Sequence, residues 1–356
     1  MSHGPISSRK PHLHRLNSLK IEPQFCPEAK LFGNTIFIRK ADSLERQKTD
    51  QYREADGMFF DNIIYRGYER LLTGEIRKHH IPRHIAVIMD GNRRYADRLG
   101  IVRNLGHTYG ARTTEWFLDW CWELGVNQAT IYAFSTENFS RTDDERAMIF
   151  DLIIRKLDEL IHDPRTHDRQ MRISAIGEVH LLPGDLQDAI RRAEDATRGY
   201  DAMYLNIATA YGGQREILDA VCDMARKVRS GELHADDIDE STISGHLYTN
   251  GTLIPDVDLI IRTGGDIRTS NFLPWQANGS ECAAYFCAPF WPEFRKIDLL
   301  RAIRVYQVRE HERKRAATRR IVDMLAACGH AELEGAVGHV RRAIGKKDTA
   351  TTVVGN

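Results

Sequence analysis

The chain has 356 residues, with 50 Lys and Arg balanced by 50 Asp and Glu, and 42% of it is apolar. This is an ordinary globular composition, enough for one large domain or two smaller ones, and zero net charge argues against a nucleic-acid binder, which would carry a basic excess. No apolar run approaches the roughly 18 residues of a membrane helix, residues 1–20 lack the apolar core of a secretory signal, and the six scattered cysteines form no CxxC pair, so a cytoplasmic, metal-thiolate-free protein is expected.

Residues 1–60 mix Pro, His, Lys and Ser with short apolar patches such as Thr35 to Ile38. They read as an N-terminal extension, partly disordered. A helix is expected over about Asn62 to Lys78, before Pro82 resets the chain. Then Ile85 to Met89 forms a continuous apolar run, as in a strand buried on both faces. Ala129 to Ala133, Met171 to Ile176, Tyr204 to Ala208 and Val257 to Ile261 repeat the pattern. Between the first of these, Trp116, Phe117, Trp120, Cys121 and Leu124 share one helical face, and Met148, Ile149, Leu152, Ile153, Leu157 and Leu160 share another. Alternation of strand and helix predicts an α/β fold: a mostly parallel central sheet flanked by helices on both faces, in a single domain.

Polar clusters follow the strands, where ligands bind in open α/β sheets. After Ile85–Met89 come Asp90, Gly91, Asn92, Arg93, Arg94 and Tyr95. A glycine turn before a helix N-terminus favours an anion, an arginine fork grips phosphate oxygens, and a carboxylate can hold a divalent cation. Arg103 and His107 lie four apart, on one face if helical. After Ala129–Ala133 come Ser135, Thr136, Glu137, Asn138, Phe139 and Arg141. A capping box of Thr142 and Glu145 is expected there, and it leaves Ser135, Glu137 and Asn138 unexplained. After Val257–Ile261 come Arg262, a Gly-Gly turn, Arg268 and Ser270, two arginines and a hydroxyl suited to a diphosphate.

Five stretches carry a resemblance. HIAVIMDGNRRYADRLG (His84 to Gly100), YAFSTENFSR (Tyr132 to Arg141), Asn206 with YGGQR (Tyr211 to Arg215), DLIIRTGGDIRTSNFLPWQ (Asp258 to Gln276) and WPEF (Trp291 to Phe294) resemble, in order and at family spacing, the blocks of the cis-prenyltransferases. This is the family of undecaprenyl and dehydrodolichyl diphosphate synthases. Arg93 and Tyr95, where bacterial members usually carry Gly and Trp, place the resemblance nearest the archaeal-type branch.

The resemblance implies a catalytic domain over residues 61–315, with 316–356 a basic helical segment and tail. It implies condensation of isopentenyl diphosphate with an allylic prenyl diphosphate, farnesyl or geranylgeranyl, to a long-chain Z-polyprenyl diphosphate, precursor of a glycosyl carrier lipid. Asp90 takes the place of a Mg²⁺-binding aspartate, and Glu281 that of a second metal residue. Asn92, Arg94, Arg103 and His107, with Gly91, Arg93 and Tyr95, match the surroundings of the allylic diphosphate. Ser135 and Asn138, with Thr136, Glu137, Phe139 and Arg141, match the block that organises the reacting pair. Arg262, Arg268 and Ser270 match the isopentenyl diphosphate site. The growing chain needs an apolar tunnel, and helices starting near Gly110 and Thr142 are its expected walls. The tail lacks the Arg-x-Gly ending of two-subunit enzymes, which implies a homodimer. The basic segment with Arg313, Lys314, Arg315, Arg319 and Arg320 suits peripheral contact with anionic lipid. The alternatives are a short or irregular isoprenoid product, transfer to another acceptor, or a non-catalytic partner subunit. The last would lack the Asp90 block.

Overall fold

The computed structural model describes residues 59–248, 256–277 and 282–327, with 337, 338 and 340–342. The chain divides into two compact units, Met1–Ile63 and Ile64–Asn356, and the fold that follows is that of the second. The expectations for residues 1–58, for Glu281 and for most of the tail beyond Ala327 lie outside the described residues.

Six strands pair in the order β3–β4–β2–β1–β5–β6, every pairing parallel. They are β1 (His84–Ile88), β2 (Gln128–Ser135), β3 (Met171–Ile176), β4 (Met203–Tyr211), β5 (Leu259–Arg262) and β6 (Ala283–Phe286). The sheet, expected to be mostly parallel, is wholly so among the described residues. Every residue of β1 is buried, as a central parallel strand covered on both faces requires.

Alternate residues feed two cores. Ile85, Val87, Ala129, Ile131, Leu205 and Ile207 point to the larger, and Ala86, Ile88, Ala208 and Ile260 to the smaller.

Nine α-helices among the described residues surround the sheet. They are α1 (Phe59–Ile76), α2 (Asn92–Leu99), α3 (Arg103–Leu124), α4 (Asp143–His162), α5 (Pro164–Asp168), α6 (Gly184–Thr197), α7 (Gly213–Ser230), α8 (Glu240–His246) and α9 (Lys296–Ala327). α3 begins at Arg103, about two turns before Gly110. α4 begins as expected after Thr142, whose Oγ1 accepts from the Glu145 amide at 3.4 Å. Asp143, Asp144 and Glu145 fill its first turn and suit the helix dipole. The reciprocal half of the capping box does not form, because the Glu145 carboxylate is taken by arginines. α9 runs unbroken through residue 315. Its first half buries Ile297, Leu300, Ile303 and Tyr306, and its second half carries the exposed arginines. No helix among the described residues is long and apolar enough to cross a membrane.

Candidate active site

The chain leaves β1 towards β2 and β5 towards β6, so the connections part between two neighbouring strands. The crevice outside the carboxyl ends of such a pair is where open α/β sheets bind ligands. Asp90 follows β1, and Arg262 closes β5 opposite Ile88.

The Arg262 side chain is 4% exposed. Its Nη2 donates to Asp90 Oδ2 at 2.8 Å and to Asp266 Oδ2 at 3.0 Å. Its Nη1 donates to the Arg268 carbonyl at 2.9 Å and to Ser270 Oγ. A buried cation needs such a cage. Arg94 Nη2 reaches Asp90 Oδ1 at 3.1 Å, and Arg268 Nη2 reaches Asp266 at 3.2 Å. Partial burial pulls the Asp90 pKa up, but the Arg262 hydrogen bond and the charges of Arg94 and Arg262 outweigh it, leaving the carboxyl below its usual range. Asp90 stays ionised at neutral pH.

The backbone beneath is pinned. Thr263 Oγ1 and the Trp291 amide both donate to the Asp90 carbonyl, at 2.7 and 2.9 Å. Gly91 has φ +104°, and a Cβ there would meet Phe290 Cδ1 at 2.6 Å, so glycine is required on both counts. The Arg94 guanidinium lies 5.2 Å from the centroid of the same Phe290 ring.

Arg93 and Arg94 are neighbours on a helix and point apart. Arg93 belongs to a second cluster, 3.7 Å from Glu145 Oε1. Arg141 Nη1 donates to that oxygen at 2.7 Å. His107 faces this cluster. Burial, with the Arg141 charge second, pushes its pKa down to about 4, so the imidazole is neutral at physiological pH. Its Nε2 is buried without a partner, as are Asn92 Oδ1 and Arg262 Nε. Three of the six such atoms among the described side chains therefore meet in this crevice, which is the mark of a ligand site rather than a finished core.

Two glycines let α3 lie on this turn. A Cβ at Gly106 would sit 2.2 Å from the Asn92 carbonyl oxygen, and one at Gly110 would sit 2.3 Å from Asn92 Oδ1. From Met89, Asn92 and His107 a cavity of about 1070 Å³, its open mouth included, runs between α3, α4 and the sheet. Its body is apolar: Leu118, Ile149, Ile153 and Leu157 from the helices, Ile131 and Ile207 from the strands. Glu115, Lys156 and Glu159 line the far end, with Lys156 Nζ 2.8 Å from Glu115 and 2.5 Å from Glu159.

Of the residues singled out in the sequence, Asp90, Gly91, Arg94, Arg262, Arg268 and Ser270 converge in the first cluster. Asn92, Arg93, His107 and Arg141 converge in the second. Ser135 closes β2, and its amide donates to Asn138 Oδ1 at 3.1 Å, which folds the short helical turn Thr136–Ser140 back on the strand. Thr136 faces Gly212, Glu137 is exposed, and Phe139 packs edge-on against Phe134 at 5.0 Å. Tyr95 packs against Tyr109 at 5.9 Å. Arg103 shares a helix with His107 but turns away, forming a bidentate pair with Asp97 at 2.9 and 3.2 Å. Asp266 and the carboxylate of Glu145 were not singled out as site residues. Their signal is spacing: each lies four residues after its arginine, Arg262 and Arg141.

A carboxylate pair flanked by two arginine clusters, at the mouth of an apolar tunnel, suits ligands with diphosphate heads and an apolar tail. The Prenyltransf family model, which describes undecaprenyl diphosphate synthase, matches residues 88–314. The chain is 56% identical over 261 residues to a tritrans,polycis-undecaprenyl-diphosphate synthase (geranylgeranyl-diphosphate specific) of Methanosarcina mazei, covering 73% of this chain and 88% of that one. It is 51% identical over 251 residues to the enzyme of the same description from Archaeoglobus fulgidus, covering 70% and 99%. The structure is similar to lavandulyl diphosphate synthase from Lavandula x intermedia in complex with dimethylallyl diphosphate, with TM-score 0.60 and 35% identity, over 65% of this chain and 96% of that one.

Proposed function

Because the chain belongs to the undecaprenyl diphosphate synthase family of cis-prenyltransferases, we propose that it condenses isopentenyl diphosphate units with geranylgeranyl diphosphate to give a long-chain Z-polyprenyl diphosphate. The observation that carries this reading is the tunnel: Asn92 and His107 belong both to the charged mouth and to the lining of the apolar cavity. A head held at the mouth leaves its tail only the tunnel to enter.

In this reading Arg93, Arg141, Asn92 and His107 receive the allylic diphosphate, and Arg262, Arg268 and Ser270 receive the isopentenyl diphosphate. Asp90 and Arg94 lie between. The catalytic unit spans about residues 61–315.

Asp90 also fits a Mg²⁺ ion. Its side chain is 29% exposed, and Arg94 and Arg262 take two of the roughly four acceptor positions of the carboxylate. One carboxylate with substrate phosphate oxygens is an ordinary Mg²⁺ set. When bound, the ion neutralises charge on the leaving diphosphate. The chain's own part is to orient the two heads, to spread positive charge over the departing oxygens through arginine forks, and to exclude water from the allylic carbon with the tunnel mouth. Ser135 and Asn138, joined at the end of β2, are the residues assigned to hold the reacting pair.

Purified protein, labelled isopentenyl diphosphate and Mg²⁺, with farnesyl or geranylgeranyl diphosphate as primer, test the reading. Long products with a preference for geranylgeranyl diphosphate are expected. No incorporation would overturn it, and a single short product would move it to a small-isoprenoid synthase. A homodimer and peripheral lipid contact through the product and the exposed arginines of α9 complete the proposal. Light scattering and vesicle co-sedimentation test them.

A further inference from the structure

The residues assigned to isopentenyl diphosphate sit on a turn whose backbone is unusual. Ser270, Asn271 and Leu273 have φ of 48°, 57° and 50°, the left-handed region that side chains disfavour. Such residues hold only when their surroundings over-determine them.

What holds them is the start of α7. The Gly213 amide donates to the Asn271 carbonyl at 2.9 Å, and the Gln214 amide donates to Asn271 Oδ1 at 2.8 Å. A Cβ on Gly213 would lie 2.1 Å from Pro274 Cδ, so the turn rests directly on the helix backbone. Phe272 stacks on Tyr132 at 4.4 Å.

One turn into the same helix lies Glu216, 1% exposed. Its Oε2 accepts from the Tyr211 hydroxyl at 2.6 Å. Its Oε1 accepts from the Tyr248 amide at 3.1 Å. Gln276 Nε2 donates to both oxygens, at 3.3 and 3.2 Å. A buried carboxylate thus joins three separate stretches: the end of β4, the segment after α8, and the far end of the 262–276 loop. Nothing in the proposed chemistry uses it.

We propose that Glu216 is a positioning residue for isopentenyl diphosphate. It anchors the loop at Gln276 while Asn271 anchors it at α7, and the strained turn that leads into this anchored stretch presents Ser270 and the Arg268 carbonyl to Arg262. The inference rests on the assignment of Arg262, Arg268 and Ser270 to that substrate. It predicts a selective effect, because the cluster around Arg93, Arg141 and His107 is carried by other elements.

The test is steady-state kinetics of the full chain, with KM measured separately for isopentenyl and allylic diphosphates, alongside thermal melts. Glu216→Leu leaves the three donors unpaired, and KM for isopentenyl diphosphate should rise on the order of 10–100-fold, with the allylic KM little changed. Glu216→Gln keeps one accepting oxygen for Tyr248 and Gln276, and its amide can donate to the unpaired Gln276 Oε1. It should restore that KM to within about threefold. Tyr211→Phe removes one donor and should show the same split at smaller size; it decides the matter alone if Glu216→Leu does not fold. A merely structural role would lower the melting temperature and kcat, or move both KM values together, and that outcome overturns the inference. Arg262→Ala separates the two levels. If it raises the isopentenyl KM while Glu216→Leu and Tyr211→Phe do not, the anchor is wrong. If Arg262→Ala leaves that KM unchanged, the site assignment is wrong, and the inference falls with it.

Discussion

Replacing Gly106 by alanine puts a methyl group 2.2 Å from the Asn92 carbonyl oxygen, 3.0 Å from its carbon and 3.1 Å from Ala96 Cβ. An ordinary C···O contact is about 3.3 Å or more, so α3 and the Asp90–Asn92 turn must part by roughly 1 Å. No flexible side chain can absorb this, because the nearest atom is backbone. The turn cannot yield alone, since the Asp90 carbonyl is held by Thr263 and Trp291. Overpacking of this kind costs about 1–3 kcal/mol, at about 2–4 °C of melting temperature per kcal/mol. A displacement near 1 Å at a catalytic turn costs on the order of 100-fold in rate. The assay is initial-rate incorporation of isopentenyl diphosphate with a parallel thermal melt. Gly67→Ala in α1 is the control, for a Cβ there meets nothing within 4 Å and should be neutral or mildly stabilising. Gly106→Ala with wild-type melting and kcat/KM would refute the close approach of α3 to the turn and its importance.

Asp90→Asn should lower kcat by about 10³-fold, since charge stabilisation through the metal position is worth several kcal/mol. Melting should change little, because Arg262 keeps Asp266, Ser270 and the Arg268 carbonyl; turnover within tenfold of wild type would remove Asp90 from the chemistry. His107 carries a pH signature. Its folded pKa of about 4 lies below the reference 6.5, so between these values the folded state binds fewer protons than the unfolded one. Its contribution is flat above pH 6.5, and stability falls as pH drops towards 4, by up to about 3 kcal/mol. His107→Gln should lose this slope, read as the difference in urea midpoints at pH 7 and pH 4.5; equal slopes in both proteins contradict the burial argument. Ala111→Phe fills the tunnel from α3. At about 0.8 kcal/mol per buried CH₂, excluding one five-carbon unit costs roughly 4 kcal/mol, so product should shorten while the first condensation persists. An unchanged product ladder on mass spectrometry would place the chain elsewhere.

The central strands were legible because a parallel strand covered on both faces has to be apolar throughout, as Ile85–Ile88 and Leu259–Ile261 are. The edge strand Ala283–Phe286 was not, since only its first residue is buried and the others are half-covered or exposed. Asp90 and Arg262 could be read as site residues because each closes an apolar run, and the sheet order alone then makes them neighbours. Partner choice was less legible. Arg103 has the right spacing to join His107 but finds Asp97 six residues back, a local pair that no helical periodicity announces. Glu216 reads as an acidic residue in a helix's first turn, because its burial comes from Tyr211, Tyr248 and Gln276, which are brought together only by the fold.

The two halves of the proposed reaction need opposite environments, and the sheet supplies both within one crossing. The diphosphates need fixed cations that do not relax when charge moves. Those lie outside the ends of β1 and β5, on turns held by backbone hydrogen bonds. The prenyl chain needs a dry wall, and it lies over β2 and β4, where Ile131 and Ile207 pair in register and face the same side. At the preceding register position, on the opposite face of the sheet, Thr130 and Asn206 pair, with His84 Nε2 2.7 Å from Thr130 Oγ1 and Asn206 Nδ2 donating to it at 3.1 Å. Polar atoms in these strands therefore satisfy one another away from the tunnel, so the tunnel face stays apolar up to Asn92 and His107. A single-residue slip of β2 would turn Thr130 into the tunnel and Ile131 out of it. The ladder register that holds the sheet together is thus also what keeps a hydrocarbon path open beside a charged mouth.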